Sequence, residues 1–333
     1  MPPDGPDAAR SRSGPRGDVV VAPGYTLRTA RDEDGDDILA LAVRALGWAG
    51  DSRDRRFLEW KHRANPSGSS PGWVAEHDGR IVGFRTFMRW ELGRGDERLR
   101  VVRAVDTATD PDHQRRGIFR ALTLQALDAL AAGGVEAVFN TPNPRSLAGY
   151  LSMGWSELGR PTLLAAPRSA GALGAMVGAR TSGTAAKWSE PVTVGQPAGE
   201  ALDGHPAVPP GDRQWSTVRT EAYLRWRYAF PELGYRAVAV RGGTCVFRVR
   251  QRGRARELAL CEWLSPVPDP RAVRRLLAAT GADYVVTLGR AGSGQRLLPL
   301  PRRGPAVVWR PLSRRPVPRL ADLDLAMGDV ELL

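Results

Sequence analysis

The chain has 333 residues, 42% of them hydrophobic and 25% charged. It has no apolar run of about 18 residues, so it reads as a globular chain long enough for two domains, with no membrane span. Cys245 and Cys261 lack CxxC spacing and the four histidines are scattered. Neither a disulfide framework nor a metal site is expected, and two reduced thiols suit a cytoplasmic location. Net charge is +12 and all but two of the 48 basic residues are arginine. They are spread along the chain without a nucleic-acid recognition motif, so a phosphate-bearing cofactor is favoured over nucleic acid as the anionic partner.

Residues 1–20 are polar and rich in Pro and Gly and read as a disordered tail. Tyr25 to Thr29 reads as a strand. The stretch RDEDGDDILALAVRALGW (31–48) then places its acids before its apolar residues, as an amphipathic helix prefers. RRFLEWKHRANP (55–66) is a second helix, ended by Asn65-Pro66. Residues 73–92 form a hairpin turning at Asp78-Gly79, and 98–110 is the next strand. A helix follows through Phe119, Leu122, Ala126, Leu127 and Leu130 and stops at Gly133-Gly134. A strand over 135–143, a helix over 144–155 opened by Pro144, and a last strand over 160–167 complete this half.

The order β-α-α-β-β-β-α-β-α-β predicts an α+β fold with a mixed sheet. Residues 169–212, rich in Gly, Ala, Ser and Pro, read as a linker. Beyond it, Tyr223-Leu224-Arg225-Trp226-Arg227 repeats Phe57-Leu58-Glu59-Trp60-Lys61. A proline follows each within six residues, at Pro231 and Pro66, which points to an internal repeat.

The chemistry concentrates in DPDHQRRGIFRAL (110–122). A helix N-terminus offers unpaired N–H groups and partial positive charge, glycine lets a ligand approach the backbone, and two arginines can pair with phosphate oxygens. The stretch predicts a pyrophosphate cradle.

Here the sequence resembles the GCN5-related N-acetyltransferase (GNAT) superfamily. Gln114, Arg115, Arg116 and Gly117 match the first four places of its Q/R-x-x-G-x-G/A signature, with Phe119 where Gly or Ala is usual. Asn143, Tyr150 and Gly154-Trp155 match its second segment. The resemblance implies the mixed, mostly antiparallel GNAT fold over 21–168. It also implies a degenerate GNAT-like domain over 213–333, where CEWLSPVPDPRAVRRLL lacks the signature.

By the same resemblance, acetyl-CoA is the donor and the amine of a small molecule the acceptor. Thr107, Ala108, Thr109, Gln114, Arg115, Arg116, Gly117, Ile118, Phe119, Asn143 and Ser146 contact the cofactor, and Tyr150 donates to the departing sulfur. Asp106 is the leading candidate for the base, alternatively a structural carboxylate paired with Arg103; Glu59 and Glu76 are weaker choices. Trp60, Trp73, Phe84, Phe87 and Trp90 are candidates for an aromatic acceptor pocket. O-acyl or longer-chain transfer, and a non-catalytic CoA-binding module, are the alternatives.

Overall fold

Acidic residues open the first helix and a left-handed Gly47 ends it, so α1 runs Gly35–Leu46 after the short strand β1 (Thr26–Thr29). The computed structural model describes residues 21–48, 53–179, 189–300 and 303–330; the tail expected over 1–20 lies outside them. The Asp54 side chain accepts from the Phe57 N–H to start α2 (Arg55–His62), which ends before Asn65-Pro66. Strands β2 (Gly72–His77), β3 (Arg80–Arg94) and β4 (Glu97–Thr109) form a meander. Its first turn places Asp78 and Gly79 at positive φ, as a tight hairpin requires. Helix α3 (Ile118–Ala132), β5 (Ala137–Asn140), α4 (Pro144–Ser152), β6 (Ser156–Gly159) and β7 (Leu163–Pro167) follow.

Beyond them lie α5 (Ala172–Gly178), β8 (Gln196–Pro197), α6 (Ala198–Ala201), β9 (Trp215–Thr217) and α7 (Glu221–Ala229). The meander returns as β10 (Arg236–Val240), β11 (Gly243–Arg252) and β12 (Ala255–Leu264). It is followed by α8 (Pro270–Thr280), β13 (Tyr284–Thr287), β14 (Leu298–Leu300) and β15 (Val307–Pro311). Strand β16 (Leu323–Asp324) and α9 (Met327–Val330) close the described chain.

Two sheets result. The first runs β1-β2-β3-β4-β5-β15-β6 and the second β14-β7-β13-β12-β11-β10-β8. Each half sends a late strand into the other's sheet: β15 lies between β5 and β6, and β7 lies between β13 and β14. The parallel contacts β4–β5 and β12–β13 occupy equivalent places. A β-bulge also recurs in both meanders, leaving Asp106 on β4 and Cys261 on β12 as the extra residue. At the boundary, Trp60 Nε1 donates to the Trp226 carbonyl and Trp226 Nε1 to the Trp60 carbonyl, both at 2.7 Å, with the rings stacked. Equivalent residues exchanging the same bond mark a local two-fold relation between the halves.

Three sequence expectations change. Strand β6 was not anticipated, because four residues of half-exposed SELG carry no apolar alternation. The strand expected over 160–167 starts at Leu163 and joins the second sheet, so residue 168 does not separate the two sheets. Within the linker expected over 169–212, β8 pairs with β10 and α6 follows it; both belong to the second half although their Gly and Pro content reads as loop.

Candidate active site

The pairing of β4 with β5 runs from Val101↔Ala137 to Arg103↔Phe139 and then stops. Residues 104–109 therefore pair only with β3, and the strands diverge toward the N-termini of α3 and α4. A splay of this kind leaves one edge of β4, including Thr107, Ala108 and Thr109, open to a ligand.

The α3 entrance fits an anion. Arg115 and Gly117 both have positive φ, 61° and 81°, and no side chain caps the helix. The first α3 hydrogen bond to Gly117 comes from Ala121, so the preceding N–H groups lack an intrahelical acceptor. Gln114, Arg115, Arg116 and Gly117 are exposed. Arg116 is aimed by bonds to Tyr25 Oη (3.0 Å) and the Asp112 carbonyl (3.3 Å). Buried Ile118 clamps the helix onto β3, where a Cβ on Gly83 would come within 2.5 Å of its Cγ2; only glycine permits that approach.

Phe119, half-buried, crosses from α3 to α4. Its ring meets Tyr150 edge-on at 5.8 Å and touches the space where a Cβ of Gly149 would stand. Asn143 and Ser146 serve α4 itself: Asn143 Oδ1 accepts from the Ser146 N–H at 2.9 Å, and Ser146 Oγ donates to the Asn143 carbonyl. Left-handed Gly154 lets the β15 residue Arg310 donate to its carbonyl at 2.7 Å, and Trp155 packs on Tyr150.

Tyr150 is buried, and its oxygen accepts from Arg85 Nη2 at 2.6 Å. Because an arginine can only donate, this bond leaves the phenol proton available to another acceptor. Arg85 is 1% exposed, its guanidinium lies 4.9 Å from the Phe87 ring and 5.4 Å from that of Phe119, and its Nε and Nη1 lack partners. Sequence reasoning missed Arg85, because an arginine in a strand ordinarily reads as solvent-facing.

Asp106 occupies the bulge with φ 38°. Its carboxylate pairs with Lys61 Nζ at 2.7 Å and His62 Nε2 at 2.8 Å, and all three side chains are nearly buried. Burial pushes the Asp106 pKa up, but the Lys61 ammonium and the His62 imidazole outweigh it and hold it below the usual carboxylate range. A carboxylate held this way is a poor proton acceptor, which argues against the expected role of Asp106 as base. Nor does it pair with Arg103, which donates to Thr141 Oγ1 at 3.3 Å. Glu59 and Glu76 are engaged by Arg63 and Arg28.

His62, also missed, keeps Nδ1 buried without a hydrogen-bond partner while Asp106 fixes the ring through Nε2. Its signal was the sequence pair Lys61-His62 at the end of α2, too short to show that it meets a strand bulge.

The aromatic pocket does not form as expected. Trp73, Phe84 and Phe87 are core residues, Trp60 stacks on Trp226, and Trp90 donates to Thr217 Oγ1 at 2.9 Å. Trp60, Phe84 and Trp90 belong to the core shared with the second half, whereas Trp73 and Phe87 pack with α3 and α4 residues of the first. Cys245 and Cys261 are buried and form no disulfide among the described residues, and burial pushes the Cys245 thiol up to about 12. Among the described residues, no helix is long and apolar enough to cross a membrane.

Comparison with known proteins agrees with this geometry. Residues 26–158 match the family described as an acetyltransferase (GNAT) domain. Mycothiol acetyltransferase of Rhodococcus jostii (strain RHA1) is 32% identical over 127 residues, covering 36% of this chain; the chain spans 41% of that relative's length. Solved GCN5-related N-acetyltransferases share the fold. The one from Kribbella flavida has a TM-score of 0.54 at 14% identity, covering 86% of this chain and 71% of its own. That from Anabaena variabilis ATCC 29413 scores 0.55 at 11% identity, covering 87% and 73%.

Proposed function

Since this chain belongs to the GCN5-related N-acetyltransferase superfamily through residues 26–158, we propose that it transfers an acetyl group from acetyl-CoA to the amine of a small molecule. The observation that carries this reading is the uncapped α3 entrance, with left-handed Arg115 and Gly117 beside the splay of β4 and β5. Exposed arginines and open N–H groups suit the pyrophosphate, and the free edge of β4 suits the pantetheine arm.

His62, held by Asp106, takes the proton of the acceptor ammonium through Nδ1. The freed amine forms its C–N bond to the thioester carbon as the C–S bond breaks. Open N–H groups of β4 face the carbonyl oxygen as it gains charge. Tyr150 gives its proton to the leaving sulfur, releasing the CoA thiol, and Arg85 faces the phenolate left behind. The amide nitrogen then loses its extra proton to solvent and the phenol is restored. We read the second half as a diverged copy that supports this site without binding the donor.

Calorimetric titration with acetyl-CoA tests the reading. Micromolar binding by the native protein, weakened at least about 10-fold in Arg115→Glu and Gly117→Glu, supports it. A folded native protein that does not bind acetyl-CoA would sink it.

A further inference from the structure

A cavity of about 480 Å³ opens where the β5–α4 turn of the first half meets the second sheet. Arg160, Arg250, Arg252 and Arg303 line it against a single carboxylate, Glu257. That carboxylate is already engaged: Arg250 Nε lies 2.6 Å from it, Tyr284 Oη donates at 2.7 Å, and Arg252 stands at 3.5 Å. Arg160 and Arg303 are exposed and pair with no carboxylate among the described residues; Arg160 donates to the Gly304 carbonyl. Among the described residues the lining therefore carries more positive than negative charge, chiefly at Arg160, Arg252 and Arg303, and a concave wall focuses it.

Thr141, on the cavity wall, accepts from Arg103 at 3.3 Å, and the buried Arg103 guanidinium lies against the Trp90 and Phe139 rings at 5.3 and 4.9 Å.

The cavity and the reaction site share helix α4: Asn143 and Leu147 line the cavity, and Tyr150 lies seven and three residues after them. Seven helical residues span roughly 10 Å at 1.5 Å each.

We infer that the acceptor carries an anionic group, a carboxylate or a phosphate, which the arginine-lined cavity holds while its amine reaches the Tyr150 end of α4. This rests on the acetyltransferase reading. The donor's pyrophosphate is held separately, at the α3 entrance.

The test is acetyl transfer to matched amines: 4-aminobutyrate against butylamine, glutamate against glutamine, and O-phosphoethanolamine against ethanolamine. The native protein should favour the anionic member by about 10-fold or more in kcat/KM, and the pairs separate carboxylate from phosphate. Arg160→Glu/Arg303→Glu, altering two exposed side chains, should reduce that preference below about 3-fold and leave acetyl-CoA affinity within about twofold. Equal turnover within every pair, turnover of none by a protein that binds acetyl-CoA, or a variant that loses acetyl-CoA affinity and keeps its preference, overturns the inference. Failure of the native protein to bind acetyl-CoA is the separate result that removes the acetyltransferase reading itself.

Discussion

After its last meander strand, each half must start a helix, and the two do so differently. In the first half, 3-10 turn Pro111–His113 and the QRRG stretch deliver α3 with two left-handed residues and no cap, leaving donors and positive charge facing outward. In the second, Pro270 begins α8 and the Asp269 side chain accepts from the Ala272 N–H. One entrance is open to an anion; the other is closed by a carboxylate of its own. The same contrast holds at the bulges. Asp106 meets Lys61 and His62, whereas the bulge on β12 offers Cys261. Arg227 and Tyr228, at the positions matching Lys61 and His62, turn to the Gly328 carbonyl and to Glu262. Helix α9 packs there so tightly that a Cβ on Gly328 would lie 2.1 Å from Tyr228 Oη. A duplicated frame thus carries polar machinery in one copy and packed structure in the other.

The largest effect that would test this asymmetry is on turnover. Tyr150→Phe should lower kcat by about 10²-fold or more and leave acetyl-CoA affinity within about twofold, as measured by thiol release and calorimetry. Full activity in that variant would remove Tyr150 from the chemistry.

The bulges come next. Asp106→Asn removes a carboxylate paired with buried Lys61 and should cost about 3–5 kcal/mol in urea unfolding. Cys261→Ala, at the matching bulge, should cost only about 1 kcal/mol. Equal losses would erase the distinction between the sites. The depressed pKa of Asp106 adds a pH signature. Its stabilising contribution is complete above the unfolded pKa, about 3.9, and is lost as pH falls below that toward the lower folded value. Acid unfolding of the native protein should therefore be steeper below about pH 4 than that of Asp106→Asn.

At the helix entrances the expected change is smaller. Asp269→Asn should leave acetyl-CoA affinity unchanged within about twofold, against the loss of about 10-fold or more in Gly117→Glu. Smallest is the exchange at the two-fold relation: a double-mutant cycle of Trp60→Phe and Trp226→Phe should give a coupling of about 1 kcal/mol in unfolding.

Much of this was legible in the residues. The meander, the QRRG entrance, the α4 segment and the Trp repeat are local patterns, fixed by turn chemistry, capping and periodicity within a few residues. Strand β6 was not, since four half-exposed residues do not alternate, and neither β8 nor α6 has the length to announce itself. Arg85 and Arg103 were read as ordinary strand residues, because their burial depends on what covers both faces of the sheet.

By itself, then, the sequence determined a mixed α+β fold, the local form of the QRRG helix entrance, and the helix that carries Tyr150. Tertiary structure alone decided that β7 and β15 change sheets, that Lys61 and His62 close on Asp106, and that four arginines from three segments share one cavity. The physical reason is range: a cap or turn is settled by neighbours along the chain, whereas strand partners and buried charges are settled by whatever segment arrives from elsewhere to complete them.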